Sequence, residues 1–99
     1  MKAVARFFGD HLDKLQISAT KSATGHLLGG AGAIESIICI KAIEEGVIPP
    51  TINTKEIDPR LPKGLNIITG KARKQDVNAA ISNTFGFGGH NASAVFKKV

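Results

Sequence analysis

The sequence has no tryptophan and no tyrosine, and it has one cysteine, Cys39, among 99 residues. A single cysteine excludes an internal disulfide and favours a reducing compartment. The stretch MKAVARFFGDH lacks the apolar segment of a secretory signal, and the apolar run of residues 27–40 is too short to span a bilayer and contains Glu35. These absences predict a soluble, cytoplasmic chain with no membrane contact.

Aromatic residues are limited to five phenylalanines, and the basic residues form no long run. The formal net charge of +5 at pH 7 suits an acidic partner, whether nucleic acid, membrane surface or protein. Only charge supports a nucleic acid, and no tryptophan or tyrosine is available to stack on bases. The sequence therefore disfavours nucleic-acid binding.

Two helices are predicted from apolar spacing. Residues 2–9 form a short helix that stops at Gly9, and a long helix runs from about His26 to Glu45 and closes at Gly46. Ser22 and Thr24 precede the long helix and are suitable cap residues.

Strands are predicted in KLQISAT, weakly in NIIT (66–69), and in residues 77–85 and 91–99, which flank the turn GFGG. Residues 47–66 contain all four prolines and are expected to form an ordered but irregular connection. This order predicts an α/β or α+β fold with at most four strands.

The long helix is too apolar for so few strands. Its five isoleucines cover more than one face, and a helix that is apolar all round has to be buried all round. Since three or four short strands can cover only one side, we expect the chain to be part of a larger layered domain.

Two glycine-rich segments do not match nucleotide-binding motifs. GHLLGGAG lacks the Lys-Ser or Lys-Thr of a phosphate-binding loop, and GFGGHN has Asn91 where a dinucleotide fingerprint needs its third glycine. The sequence predicts no cofactor.

Titratable residues gather at the start of the long helix. His26 is expected in its first turn, where the helix dipole disfavours the charged imidazole, although a capping or core histidine would look the same. Glu35 lies two and a half turns further on, so it cannot be a simple acid–base partner of His26, but it could reach Lys21. A surface lysine is the plain alternative for Lys21. Cys39 lies among isoleucines and is expected to be an inert thiol.

Together, SATKSATGHLLGGAGAIES and ISNTFGFGGHNAS strongly resemble the β-ketoacyl-acyl carrier protein synthases, the condensing enzymes of fatty-acid synthesis, and among them the elongating type II class. The resemblance runs from about residue 6 to residue 99 and includes GVIPPTIN. It implies an α/β, thiolase-like fold, of which residues 1–99 would be the C-terminal part: a strand, a long buried helix, a loop and a C-terminal antiparallel hairpin.

The resemblance also implies roles for individual residues. His26 matches the histidine that donates a hydrogen bond to the malonyl thioester, and Lys21 matches the active-site lysine, with Glu35 as its paired carboxylate. Phe87 matches the gate phenylalanine, whose N–H completes an oxyanion hole, and Gly86 and Gly88 would let the gate move.

Some members of the family bind a structural monovalent cation at positions that match Glu35, Ser82 and Asn83. The nucleophilic cysteine and a first catalytic histidine lie upstream in the family, and neither has a counterpart here. The implied partners are acyl carrier protein carrying acyl or malonyl groups, and the missing N-terminal half or a homodimer mate.

The sequence leaves two hypotheses for the function open. The chain is the C-terminal segment of a condensing enzyme, inactive alone, or it is a non-catalytic module that pairs with another chain in a split or heteromeric enzyme. The presence of Lys21, His26 and Phe87 argues against a purely structural role.

Overall fold

The computed structural model describes residues 1–99 and has its three helices in the first half of the chain, with five of its six strands after them. The helices are α1 (Lys2–Phe8), α2 (Lys21–Thr24) and α3 (Ala31–Glu45). The strands are β1 (Gln16–Ile17), β2 (Val47–Ile48), β3 (Asn66–Ile67), β4 (Arg73–Lys74), β5 (Ala79–Phe85) and β6 (Asn91–Lys97). Three 3-10 turns, Gly9–Lys14, Leu28–Gly30 and Phe87–Gly89, join them. No helix has both the length and the hydropathy that crossing a membrane requires.

The short strands form two small pairings. β1 and β3 are parallel, with Ile17 beside Ile67, and an isolated parallel bridge between Thr51 and Thr69 extends this row. β2 and β4 are antiparallel, with Val47 opposite Lys74. The prediction of at most four strands was wrong because β2 and β4 have two residues each, too few to show an alternating pattern.

The C-terminal hairpin is confirmed. β5 and β6 pair antiparallel over seven positions, from Ala79 opposite Lys97 to Phe85 opposite Asn91. Burial alternates along β5, so Ala80, Ser82 and Thr84 face α3 while the residues between them face away.

Helix α3 ends where the sequence predicts but begins five residues later than predicted. Gly46 closes it in the left-handed conformation, with φ 61° and ψ 41°. At the other end, Gly25 ends α2 with φ 73°, and Leu28 has φ 51°, so the backbone between α2 and α3 does not continue as an α-helix. Ser22 and Thr24 consequently lie inside α2 and do not cap α3.

Helix α3 packs against one face of the hairpin, antiparallel to β5. Thr84, near the end of β5, lies beside Gly32 in the first turn of α3. At the opposite end, Ile40 and Ile43 share a groove with residues 95–99. The start of α3 is therefore at the loop end of the hairpin, which places residues 26–30 and 86–90 at the same end of this layer.

Burial is low, and it leaves apolar faces open on both sides of the layer. Only four of the 99 residues are buried: Ala31, Ile43, Ile48 and Ile68. On α3, Ile37 is 57% exposed, and on the outer face of the hairpin Phe85 is 77% and Val95 is 67% exposed. The helix predicted to be buried is thus covered on one side only. This confirms that the strands of the chain are too few to cover all the isoleucines of α3.

We predict that the isolated chain self-associates through these faces, because exposed apolar patches of this kind drive association. Ile37→Lys should lower the apparent mass in sedimentation velocity experiments and leave the thermal unfolding midpoint nearly unchanged. The matched control is Ile43→Lys, which places a charge at a position that is 8% exposed and should unfold the chain. A wild-type chain that sediments as a monomer at all concentrations would contradict this prediction.

Candidate functional site

The strand-to-helix connection after β1 carries the candidate lysine. Lys21 opens α2, a helix of a single turn whose first residues receive no side-chain cap. Gly25 follows with φ 73°, a backbone conformation that glycine adopts without strain, and turns the chain toward His26.

His26 is exposed and lies between α2 and the 3-10 turn Leu28–Gly30, not in the first turn of α3. The expectation that a helix dipole keeps its imidazole neutral was therefore wrong. The Leu28 N–H donates to Nδ1 of His26 at 3.1 Å. In the neutral imidazole, an Nδ1 that accepts a hydrogen bond leaves the proton on Nε2, which makes no hydrogen bond within the chain and can donate to a ligand.

Lys21 and Glu35 form an ion pair between Nζ and Oε1, as the sequence spacing suggested. The Glu35 side chain is 12% exposed and that of Lys21 is 38% exposed. Glu35 is in the second turn of α3, so the pair ties the one-turn α2 to the long helix. A carboxylate this well buried needs a positive partner, and Lys21 supplies it.

Phe87 lies in the loop between β5 and β6 and is fully exposed to solvent. The Gly86 N–H donates to the His90 carbonyl at 2.6 Å and closes the loop. Gly88 has φ 78°, which favours glycine. The ring of Phe87 is therefore carried on a short glycine-rich loop with nothing packed against it.

The fold brings the four candidates to one end of the helix–hairpin layer. Lys21, His26 and Glu35 surround the start of α3. Phe87 is on the loop that follows the end of β5, and that end lies beside Gly32. An ammonium group, an imidazole with an unengaged Nε2 and an exposed phenyl ring thus share one end of the layer.

The side chains of the predicted cation site do not converge. Ser82 faces α3, whereas its neighbour Asn83 faces away and accepts a hydrogen bond from the Ser93 hydroxyl at 2.6 Å. The Glu35 carboxylate is already engaged by Lys21. These side chains alone do not fit a cation, so a site here would need main-chain carbonyl ligands and stays a prediction.

Cys39 is half-buried in α3, four residues beyond Glu35. Burial raises the pKa of its thiol, and the negative charge of Glu35 raises it further. Since the thiolate is the reactive form, these surroundings agree with the prediction that Cys39 is a poor nucleophile.

Sequence reasoning missed the residues that hold the lysine segment in place. Thr51 and Asn53, in a stretch predicted only as irregular connection, make side-chain hydrogen bonds to Ala19 and Ser22. The available signal was the cluster PPTIN, in which two prolines restrict the backbone just before two polar side chains.

Comparison with known proteins gives a consistent result. Residues 1–55 match the family model described as "Beta-ketoacyl synthase, C-terminal domain". The chain is 45% identical over 97 residues to 3-oxoacyl-[acyl-carrier-protein] synthase 2 of Synechocystis, which covers 98% of this chain and 23% of that protein. It is equally similar, at 45% over 97 residues, to nodulation protein E of Rhizobium meliloti, with 98% of this chain and 24% of the relative covered.

A solved structure has the same fold. It is described as a type II PKS acyl-carrier protein in complex with its ketosynthase, and it matches with a TM-score of 0.90 and 31% identity over 98% of this chain and 23% of that one. The α/β, ketosynthase-like fold class is therefore confirmed. The chain spans about a quarter of the length of these relatives.

We predict that Lys21→Met lowers the free energy of unfolding by about 1–2 kcal/mol, because Glu35 is then left without a positive partner at a poorly exposed position. Glu35→Gln should cost less, and the double variant should recover part of the loss. Urea unfolding in the Ile37→Lys background measures these differences with less self-association. Lys41→Met is the matched control, since it breaks an exposed pair with Glu44. Equal losses for Lys21→Met and Lys41→Met would contradict a special role for the Lys21 pair.

We also predict slow alkylation of Cys39. In the folded chain the pH midpoint for reaction with iodoacetamide should lie higher than in the urea-unfolded chain, because the folded state raises the pKa of the thiol. At neutral pH the folded rate should therefore be several times lower. The unfolded chain is the internal control, and a folded rate that equals or exceeds it would refute the prediction.

Proposed function

Because this chain belongs to the β-ketoacyl synthase family through its C-terminal domain, we propose that it forms the C-terminal part of a 3-oxoacyl-acyl carrier protein synthase of fatty-acid biosynthesis. The reaction is the decarboxylative condensation of malonyl-acyl carrier protein with an acyl thioester. The observation that carries this proposal is the imidazole of His26, whose Nδ1 accepts from the Leu28 N–H and whose Nε2 is unengaged, at the end of α3 that also holds the Lys21–Glu35 pair.

The chemistry assigned to His26 is hydrogen-bond donation to the malonyl thioester carbonyl. Loss of CO₂ leaves an electron pair on the α-carbon, and the negative charge spreads to the thioester oxygen as an enolate. A fixed donor aimed at that oxygen stabilises the charge as it develops. The carbanion then attacks the acyl thioester carbon, a carbon–carbon bond forms, and the thiolate that held the acyl group leaves.

The other residues support this step in the proposal. Lys21, held by Glu35, places a positive charge at the mouth of the site and fixes the segment that leads to His26. Phe87 serves as a gate over the acyl group, and the freedom of Gly86 and Gly88 lets it swing. This gate role is supported by the full exposure of the ring, since no neighbouring side chain packs against it.

The nucleophile of this reaction is a thiolate, and Cys39 does not provide it. Its thiol is half-buried with a raised pKa, in the body of α3 and away from the end where His26 lies. We therefore place the nucleophilic cysteine in another part of the enzyme, which would also cover the exposed faces of α3 and the hairpin. A homodimer mate is the second source of such cover.

Acyl carrier protein is the proposed partner, and the net charge of +5 suits an acidic one. The solved relative that contains a carrier protein with its ketosynthase supports the same choice. The cytoplasm, or an organellar stroma, is the proposed location. The alternative of a non-catalytic partner module is disfavoured, since Lys21, His26 and Phe87 are all in place.

We predict that His26→Ala, in a complete synthase that carries this segment, lowers the condensation rate by about 10²–10³-fold, the loss typical of one preorganised donor. The acyl-enzyme should still form and should accumulate, because His26 acts after acylation. Stopped-assay product analysis and intact-protein mass spectrometry measure the two steps. His11→Ala is the matched control, since His11 is exposed in the 3-10 turn Gly9–Lys14. Condensation by His26→Ala at the wild-type rate would refute the proposal.

A further inference from the structure

A short segment about thirty residues after Lys21 forms hydrogen bonds with residues on both sides of Lys21. We propose that Thr51 and Asn53, together with Ser22, are positioning residues that set the direction of the Lys21 ammonium and of the segment leading to His26. We call residues 51–53 the clamp. This inference rests on the proposed function, because the groups that the clamp positions are the ones assigned to the condensation site.

Three hydrogen bonds join the clamp to the lysine segment. The Ala19 N–H donates to the Thr51 hydroxyl at 2.9 Å, before Lys21. After Lys21, the Ile52 N–H donates to the Ser22 hydroxyl at 2.9 Å, and the Asn53 side-chain amide donates to the Ser22 carbonyl at 3.0 Å. The bonds therefore fix the main chain on both sides of the lysine.

The clamp is itself anchored to the most buried part of the chain. The Thr51 N–H donates to the Ile68 carbonyl at 2.7 Å, and the Ile68 N–H donates to the Ile17 carbonyl at 2.9 Å. Ile68 is 2% exposed, the lowest value among the buried residues. A continuous line of hydrogen bonds thus runs from this small core, through Thr51, to the lysine segment.

External support of this kind is needed because α2 is too short to hold itself. An isolated single helical turn is unstable in water, since it fixes several backbone angles for one or two hydrogen bonds. Lysine also has a long side chain that loses much rotamer freedom when it is ordered. The ion pair with Glu35 fixes the tip of Lys21, and the clamp fixes its base.

Asn53 adopts a backbone conformation that matches this task. Its φ is 59°, in the left-handed region, which asparagine tolerates better than most residues. Replacement by alanine would change the backbone strain and the hydrogen bond together. Asn53→Asp is the cleaner variant, because a carboxylate has nearly the same shape but cannot donate to the Ser22 carbonyl.

The first experiment reads the position of Lys21 without any enzyme activity. The protein is treated with a limiting amount of N-hydroxysuccinimidyl acetate, and mass spectrometry gives the ratio of acetylation at Lys21 to that at Lys41. Lys41 is a fitting internal reference, since it forms an exposed pair with Glu44 within α3. Thr51→Val and Asn53→Asp should raise the ratio about threefold as the Lys21 pair loosens.

Two matched variants control for shape and charge. Thr51→Ser keeps the hydroxyl that accepts from Ala19 and should restore the wild-type ratio, whereas Thr51→Val keeps the shape and loses the acceptor. Asn78→Asp makes the same charge change as Asn53→Asp, but at an exposed residue. The side chain of Asn78 makes no hydrogen bond, and only its main-chain carbonyl accepts one, from the Lys98 N–H. This variant should leave the ratio unchanged.

The second experiment measures turnover in a complete synthase that carries this segment. Thr51→Val and Asn53→Asp should lower kcat for condensation about tenfold, the usual size of an effect on groups that orient catalytic residues, with little change in KM for the carrier protein. Rates are divided by the amount of acyl-enzyme formed, so a fraction of unfolded protein does not count as a loss of kcat. Thr51→Ser should recover the wild-type kcat.

The outcomes separate the clamp from the proposed function. An unchanged Lys21 ratio in both Thr51→Val and Asn53→Asp overturns the clamp, and so does an unchanged kcat in an active synthase. In another outcome, a complete protein shows a raised ratio of Lys21 to Lys41 acetylation in these variants and yet has no condensation activity in its wild-type form. That outcome supports the clamp as the structure that holds the ion pair in place, and it overturns the proposed function. If Thr51→Val fails to fold, Asn53→Asp decides by itself.

Discussion

The ion pair between Lys21 and Glu35 is the interaction on which the local structure depends. It is the contact that joins the one-turn α2 to the long α3 across the irregular backbone of residues 25–30. Glu35 is exposed at only 12%, so the helix could not bear this carboxylate without a positive partner. The pair therefore holds α2, which precedes the turn to His26, against the start of α3.

The chemistry of His26 depends on a local hydrogen bond and not on a helix. The N–H of Leu28 points back toward the imidazole and donates to Nδ1, which in the neutral ring favours the tautomer with its proton on Nε2. The contact that orients the imidazole therefore comes from the segment that precedes α3.

Periodic patterns in the sequence predicted the elements that are long enough to have a period. The end of α3 at Gly46 and the pairing of β5 with β6 follow from side chains within each element. The start of α3 could not be predicted in the same way, because Ser22 was a suitable cap by type but its hydroxyl is used by Ile52, thirty residues away. The ion pair was within reach of sequence reasoning because Glu35 is the one carboxylate in an apolar helix body.

The two faces of the hairpin show why α3 and the hairpin cannot be the whole of a stable domain. The face toward α3 carries Ala80, Ser82 and Thr84, which let the helix approach closely at Gly32, and Phe96 lies opposite Ala80 on the same face. The outer face nevertheless exposes Ile81 and Val95, which lie opposite each other in the two strands. A hairpin at the edge of a finished domain normally turns a polar face toward water. Since apolar surface remains on both sides, the layer has the pattern of a middle layer, and its stability has to come from whatever covers it.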